Sequence, residues 1–174
     1  MIFLTVGTWY KGYDRLVRAV DELVAQGGVT EPVTAQIGYG AYRPQHLKAM
    51  DFCSPEQFRD LTAQSTTIVS HAGMGTIIEA LKQNKPLVAL PRKRALGEVS
   101  NDHQFTTARQ LEAEGKILVA YEESQLSDKI RRAADFVPAE SDGAGGIVQQ
   151  VADFIEQTAA QKAAGGKQSG EAAS

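Results

Sequence analysis

The chain has 174 residues, a formal net charge of −3, 43% hydrophobic residues and 22% charged residues. This length suits one ordinary globular domain, and the mildly acidic balance gives no support to nucleic-acid binding. No apolar run approaches the roughly 20 residues that span a bilayer. The single Cys53 excludes an internal disulfide and fits a reducing cytoplasm.

Strands and helices are predicted to alternate along the chain. Short apolar, mostly β-branched runs predict strands at 2–6, 33–37, 66–70, 86–91 and 117–120, and residues 47–52 form either a third strand or an extended segment. Apolar residues at helical spacing predict helices at 14–25, 54–64, 76–83, 102–114, 124–134 and 146–160. Strands separated by helices of this length form βαβ units. We therefore expect an α/β fold, a Rossmann-like parallel sheet with helices on both faces.

Glycine turns follow three of the predicted strands in chain order. Gly7 and Thr8 follow the first strand, Gly38 follows the second, and Gly73 and Gly75 follow the fourth. Ligands of open parallel sheets bind at the carboxyl ends of the strands. We therefore expect these turns to line one crevice.

The turn after the fourth strand carries the clearest chemical signal. Its glycines let the backbone approach a ligand, and the first N–H groups of the next helix favour a phosphate. Glu79 follows Gly75 by about one helical turn, close enough to bind a ribose diol. His71 is either a structural hydrogen-bonding residue or a donor to the phosphate or sugar. The turn matches neither GxGxxG nor the P-loop, and tight strand–helix packing is the alternative explanation for its glycines.

Two polar segments follow the fifth predicted strand. Arg92, Lys93 and Arg94 form either an exposed charge run or a cluster that neutralises a diphosphate or a uronic carboxylate. Residues 101–104, Asn-Asp-His-Gln, either cap a helix or present donors and acceptors to sugar hydroxyls. Adjacent helical side chains diverge by about 100°, so Asp102 and His103 do not form a ready acid–base pair.

Five segments in sequence order resemble the C-terminal domain of family 28 glycosyltransferases. They are Thr-Val-Gly-Thr (5–8), Gln-Ile-Gly-Tyr-Gly (36–40), Ser-His-Ala-Gly-Met-Gly-Thr-Ile-Ile-Glu (70–79), Lys-Pro-Leu-Val-Ala-Leu-Pro-Arg (85–92) and Asn-Asp-His-Gln (101–104). The chain is most similar to the single-domain members, which are the donor-binding Alg13-type subunit of the eukaryotic dolichol-linked GlcNAc transferase and the bacterial PssE-like exopolysaccharide subunits. The 91–104 segment is more like the bacterial type.

This resemblance implies the C-terminal, donor-binding half of a GT-B glycosyltransferase. By analogy, the backbone of 73–76 would hold the diphosphate, Glu79 the ribose, Cys53 the uracil, and 102–104 the sugar. Together with the residues singled out above, the predicted UDP-sugar site is Gly7, Thr8, Gly38, Cys53, His71, Gly73, Met74, Gly75, Thr76, Glu79, Arg92, Asp102, His103 and Gln104. No cofactor or metal is expected.

The resemblance also implies a division of labour between two chains. This chain would be the donor-binding and catalytic subunit of an inverting transferase, active with a membrane-anchored partner of the Alg14 or PssD type. The acceptor would be a polyprenyl-diphosphate-linked glycan at the inner face of the plasma membrane, and glucuronate would be the favoured sugar. The general base would belong to the partner, with His103 the candidate within this chain.

Two other functions are weighed against the transferase. The chain could be a non-catalytic enhancer of a partner transferase, or a Rossmann-like NAD binder. UDP binding by the isolated chain discriminates between them. We predict one UDP-sugar-binding domain over 1–158 and a disordered tail over 159–174, because that tail lacks large apolar residues.

Overall fold

The computed structural model describes residues 1–100 and 103–139, apart from the side chain of His103. Its strands are β1 Ile2–Thr5, β2 Val33–Gln36, β3 Lys48–Met50, β4 Thr67–Ser70, β5 Leu87–Ala89 and β6 Leu118–Val119. Its α-helices are α1 Asp14–Ala25, α2 Pro55–Gln64, α3 Met74–Lys82, α4 His103–Ala113 and α5 Leu126–Ala133. Short 3₁₀ turns at Arg94–Leu96 and Glu123–Gln125 complete the described elements.

All six strands form one parallel sheet in the order β3-β2-β1-β4-β5-β6. The strand order reverses between β1 and β4, which is where open α/β sheets bind their ligands. Thr5 of β1 lies opposite Gln36 on one side and Ser70 on the other. The segments that begin at Gly7 and His71 therefore leave the sheet side by side.

Helices cover both faces of the sheet, as predicted. On one face, Leu4 and Val69 belong to a buried cluster that includes Leu16 of α1 and Leu126 of α5. On the other face, the ring of Phe3 lies edge-on to Phe58 of α2, with centroids 5.5 Å apart. Apolar residues on both sides of a strand are what a central parallel strand requires.

A local sequence signal explains where α2 begins. Ser54 caps α2 through a capping box with Gln57, and Pro55 occupies the first helical position. By contrast, the predicted start of α3 at residue 76 was two residues late, because Gly73 is the N-cap and Met74 the first helical residue. The predicted helix at 146–160 and the predicted tail at 159–174 lie outside the described residues.

A buried carboxylate fixes the segment between β2 and β3. Asp21 of α1, 3% exposed, accepts hydrogen bonds from the Tyr42 hydroxyl at 2.7 Å and from the backbone N–H groups of Gln45 at 3.0 Å and His46 at 2.7 Å. Burial alone would raise the pKa of Asp21, but these hydrogen bonds outweigh it and lower the pKa. Asp21 therefore anchors this segment to α1 as an ionised group.

Candidate functional site

The N-terminus of α3 opens at the point where the strand order reverses. Gly73 has extended backbone angles and makes no side-chain capping bond, and the first α-helical bond runs from Ile77 N–H to Gly73 O at 3.1 Å. The N–H groups of Met74, Gly75 and Thr76 therefore have no acceptor within the helix. A helix terminus of this kind binds an anion through its N–H groups and its dipole.

The imidazole of His71 lies between the two glycine turns. A Cβ added to Gly73 would lie 2.2 Å from His71 Nε2, and one added to Gly7 would lie 2.7 Å from His71 Cε1. Only glycine gives the ring room at these two positions. Gly7 also has a φ of 72°, which other residues rarely adopt.

The hydrogen bonds around His71 fix its tautomer. The Ser70 hydroxyl donates its single proton to the Thr5 carbonyl at 2.8 Å, and Ser70 Oγ is 3.2 Å from His71 Nδ1. With the Ser70 proton on the Thr5 carbonyl, this contact assigns the proton of the neutral ring to Nδ1 and leaves Nε2 unprotonated beside Gly73. Burial, followed by the nearby charge of Arg92, lowers the pKa of His71 to about 4.

We expect this buried neutral imidazole to make the fold sensitive to acid. The pKa of His71 falls from 6.5 to about 4 on folding, so its contribution to stability is complete above pH 6.5 and is lost as the pH falls towards 4. The loss amounts to about 2 kcal/mol after allowance for solvent screening. Urea unfolding of the wild type and His71→Gln at pH 7, 5.5 and 4.5 measures it, and equal pH slopes would contradict the assignment.

A cavity of about 580 Å³ lies on one side of His71 and the α3 terminus. Cys53 and Glu79 both line it, as do Gly7 and Thr8. Glu79 is half-buried one turn into α3, and its Oε1 accepts from Gln83 Nε2 at 2.6 Å. Burial raises the pKa of the Cys53 thiol. The predicted nucleotide-binding residues are therefore brought together around one cavity.

A second cavity of about 320 Å³ adjoins the first on the other side of His71. It is lined by Gln104 and Thr107 of α4 and by Arg92, and it shares His71, Gly73, Met74 and Trp9 with the first cavity. Gln104 Oε1 accepts a hydrogen bond from the Arg92 backbone N–H at 3.1 Å. A ligand bound at the α3 terminus can therefore extend one portion into each cavity.

The described structure does not place three of the predicted site residues at the cavities. Gly38 packs against the Gly7 carbonyl, 3.1 Å from an added Cβ, and is not among the residues that line either cavity. Asp102 lies outside the described residues, and His103 is described only as the start of α4. The predicted roles of Asp102 and His103 stay predictions.

The alternative of an exposed charge run at 92–94 is wrong for Arg92, which is 1% exposed. Its guanidinium donates to the carbonyls of Val6 at 3.1 Å, Gly12 at 2.9 Å and Lys11 at 3.3 Å. Lys93 pairs with Glu122, and Arg94 is exposed. The three basic residues thus have three different environments.

Residues that the sequence did not single out also line the cavities. They are Trp9, Gln36, Ser54, Pro55, Phe58, Arg59, Ala72, Val99, Ser100 and Thr107. Trp9 stands out because it lines both cavities and is 46% exposed. Its position directly after the first glycine turn was the available signal, since residues after a strand end face the crevice.

Within the described residues, no group of three or more His, Cys, Asp or Glu side chains could hold a metal ion. No helix there is long and apolar enough to cross a membrane.

Comparison with known families gives one match across most of the chain. The family model for the glycosyltransferase family 28 C-terminal domain matches residues 1–158. UDP-N-acetylglucosamine transferase subunit ALG13 of Eremothecium gossypii is 32% identical over 119 residues, which are 64% of this chain and 57% of that protein. The mouse subunit of the same name is 30% identical over 125 residues, 66% of this chain and 10% of that protein. The chain thus spans between a tenth and just over half of these curated relatives.

Solved structures show the same fold. An NMR structure of ALG13 superposes with a TM-score of 0.58 at 19% identity, covering 86% of this chain and 93% of that one. Acinetobacter baumannii MurG superposes with a TM-score of 0.51 at 18% identity, covering 89% of this chain and 49% of that one. These likenesses confirm the predicted Rossmann-like fold, which is that of the C-terminal half of a GT-B glycosyltransferase.

Proposed function

The chain belongs to the glycosyltransferase family 28 C-terminal domain family, and from this membership we propose that it is the UDP-sugar-binding, catalytic subunit of a two-chain transferase. The observation that carries the proposal is the uncapped N-terminus of α3, which opens between two cavities at the reversal of strand order. An activated sugar has an anionic diphosphate with a different group on each side, and this arrangement matches it in charge and shape.

The nucleoside is assigned to the larger cavity. Glu79 lies one helical turn beyond the N–H groups that would hold the diphosphate, and it lines that cavity together with Cys53. A carboxylate accepts from both hydroxyls of a ribose diol. The sugar is then left for the smaller cavity, where Gln104 and Thr107 supply hydrogen-bonding groups.

Departure of UDP from the anomeric carbon is the step that these residues would assist. As the glycosidic bond breaks, negative charge builds on the β-phosphate oxygens. Fixed N–H groups at the α3 terminus stabilise this charge more in the transition state than in the ground state. We expect no metal cofactor, because the N–H groups and the helix dipole at the α3 terminus can supply this stabilisation.

A second chain is proposed to supply the acceptor side. The curated relatives are named as subunits of a transferase, which supports a partner for this chain as well. We propose a membrane-anchored partner that presents a polyprenyl-diphosphate-linked acceptor at the inner face of the plasma membrane and carries the general base. Exopolysaccharide synthesis is the proposed setting, and glucuronate is the first sugar to test.

Ligand binding by the isolated chain tests the proposal. Trp9 is the only tryptophan and lines both cavities, so its emission reports their occupancy. We expect saturable changes with UDP and UDP-sugars and none with NAD. A response to NAD alone would support a dinucleotide binder, and no response to any nucleotide would support a non-catalytic enhancer subunit.

Glu79→Ala sharpens that test. We expect it to weaken UDP binding by about 1–3 kcal/mol, since a buried hydrogen bond to a charged group is lost. Glu22→Ala, on an exposed position of α1, serves as the control and should bind UDP like the wild type. Calorimetric titration measures both variants, and an unchanged affinity of Glu79→Ala would remove the ribose assignment.

A further inference from the structure

Arg92 connects two segments that border the site but are far apart in sequence. It follows β5, whereas the carbonyls it binds belong to Val6, Lys11 and Gly12, in the loop between β1 and α1. The carbonyls of Val6 and Gly12 lie at the two ends of this loop, which we call the β1–α1 loop (residues 6–12). One guanidinium therefore fixes both ends of the loop at once.

The guanidinium of Arg92 packs on the ring of Tyr13, which is itself held by hydrogen bonds. Arg92 Cζ lies 4.4 Å from the centre of the Tyr13 ring, within the range of a cation–π contact. The buried Tyr13 hydroxyl donates to the Leu90 carbonyl at 2.9 Å and accepts from Arg15 Nη2 at 2.8 Å. Arg15 in turn forms a bidentate salt bridge with Glu98, with N–O distances of 2.7 and 2.9 Å. Arg92 is thus held on a rigid support.

A further contact ties the loop to the segment after β5. Lys11 Nζ donates to the Gly97 carbonyl at 3.1 Å, and Glu98 Oε2 accepts from the Lys93 backbone N–H at 2.7 Å. The β1–α1 loop and residues 92–98 therefore form one connected unit. Trp9 lies at the middle of the loop and borders both cavities, and its ring is tilted by 39° to that of Tyr10 at 5.0 Å between centroids.

We propose that Arg92 is a positioning residue of the donor site, which holds the β1–α1 loop so that Trp9 forms the partition between the two cavities, and that it does not bind the diphosphate directly. This inference rests on the proposed function for its role in donor binding. The structural part, that Arg92 fixes Trp9, stands without any ligand. The Nη1 and Nη2 groups of Arg92 already donate to three carbonyls.

Substitutions at Arg92 separate positioning from charge. Lysine keeps the positive charge but has a single ammonium group, which cannot reach carbonyls at both ends of the loop as a planar guanidinium does. If Arg92 acts by positioning, Arg92→Lys and Arg92→Met should both increase the mobility of Trp9 and weaken UDP binding to the same extent. A role for the charge alone, or a direct contact with the diphosphate, predicts that lysine largely restores function. Arg94→Met, at an exposed position of the same segment, is the matched control.

The first measurements use the ligand-free protein and the fluorescence of Trp9. In the wild type and in Arg94→Met we expect the anisotropy of Trp9 to decay mainly with tumbling of the whole molecule. In both Arg92 variants we expect fast local motion, a red-shifted emission and stronger quenching by acrylamide. Fast local motion of Trp9 in the wild type would overturn the proposal, even if Arg92→Met proved too unstable to study.

Titration with UDP then tests the link to donor binding. We expect both Arg92 variants to bind UDP about 10-fold more weakly than the wild type, in step with the change at Trp9. The proposal would be overturned if Arg92→Met bound UDP more weakly while the fluorescence of Trp9 stayed unchanged, and Arg92→Lys bound UDP like the wild type. That result would mean that Arg92 contacts UDP directly. A wild type that fails to bind UDP would refute the proposed function, while the ligand-free measurements would still decide the role of Arg92.

Discussion

Gly73→Ala is expected to weaken UDP binding about 100-fold, or close to 3 kcal/mol. The new Cβ would lie 2.2 Å from His71 Nε2, far inside van der Waals contact. His71 cannot simply retreat, because Gly7 already lies against the other side of its ring. The imidazole or the first turn of α3 must therefore shift, and either movement disturbs the groups placed for the diphosphate.

A loss of general stability has to be separated from this local effect. Gly27 has a φ of 73° and nothing within 4 Å of an added Cβ, at the end of α1. Gly27→Ala therefore costs about 1 kcal/mol of folding free energy without touching the site. Calorimetry at equal fractions folded should show normal UDP affinity in Gly27→Ala and a large loss in Gly73→Ala. Normal affinity in both would mean that the diphosphate does not bind at this turn.

The sequence contains enough information to predict the architecture of the described part. Strand positions follow from β-branched runs, and the parallel sheet follows from the helices between them. The start of α2 at Pro55 was predictable because the Ser54 capping box is a local signal. The start of α3 was not, because Gly73 and Gly75 have low helix propensity on either side of Met74, and tertiary structure decides whether the helix begins before Gly75.

The residues around the α3 terminus could be gathered from sequence for a topological reason. Parallel strands all point the same way, so the turns after β1 and β4 must meet at one edge. That rule correctly brought Gly7, His71 and Glu79 to one cavity. The rule does not predict how deeply a residue is buried at that edge. Gly38 packs against the Gly7 carbonyl of the β1–α1 loop and does not line a cavity.

Arg92 illustrates what sequence patterns miss. An Arg-Lys-Arg run reads as solvated charge or as an anion site, because burying a cation is costly unless it is well paired. The carbonyls that compensate it here come from residues about 80 positions earlier in the chain. No local pattern encodes that contact. The proposed positioning of Trp9 depends on the same contact.

Asp21→Ala is expected to destabilise the fold by about 4 kcal/mol. Asp21 accepts from the Tyr42 hydroxyl and from two backbone N–H groups, and a hydrogen bond to a charged group has a net contribution of roughly 1.5–3 kcal/mol, which does not add fully when the bonds share one acceptor group. Alanine would leave these donors without their acceptor and release the segment that leads into β3. Asp128→Ala is the control, since its 3.4 Å ion pair with Arg131 is exposed and contributes little.

Acid titration gives this prediction an independent signature. The pKa of Asp21 lies below its ordinary value of 3.8 in the folded chain, so the unfolded chain takes up the proton first as the pH falls. The stabilisation by Asp21 is therefore complete above about pH 4 and is lost as the pH falls through the folded pKa. This window lies below that of His71, whose loss runs from pH 6.5 to about 4. In urea unfolding, Asp21→Ala should keep the loss between pH 6.5 and 4 and show a smaller further loss below it than the wild type, because other carboxyls with lowered pKa values still contribute there. An Asp21→Ala profile parallel to the wild type at every pH would show that the carboxylate does not anchor the segment.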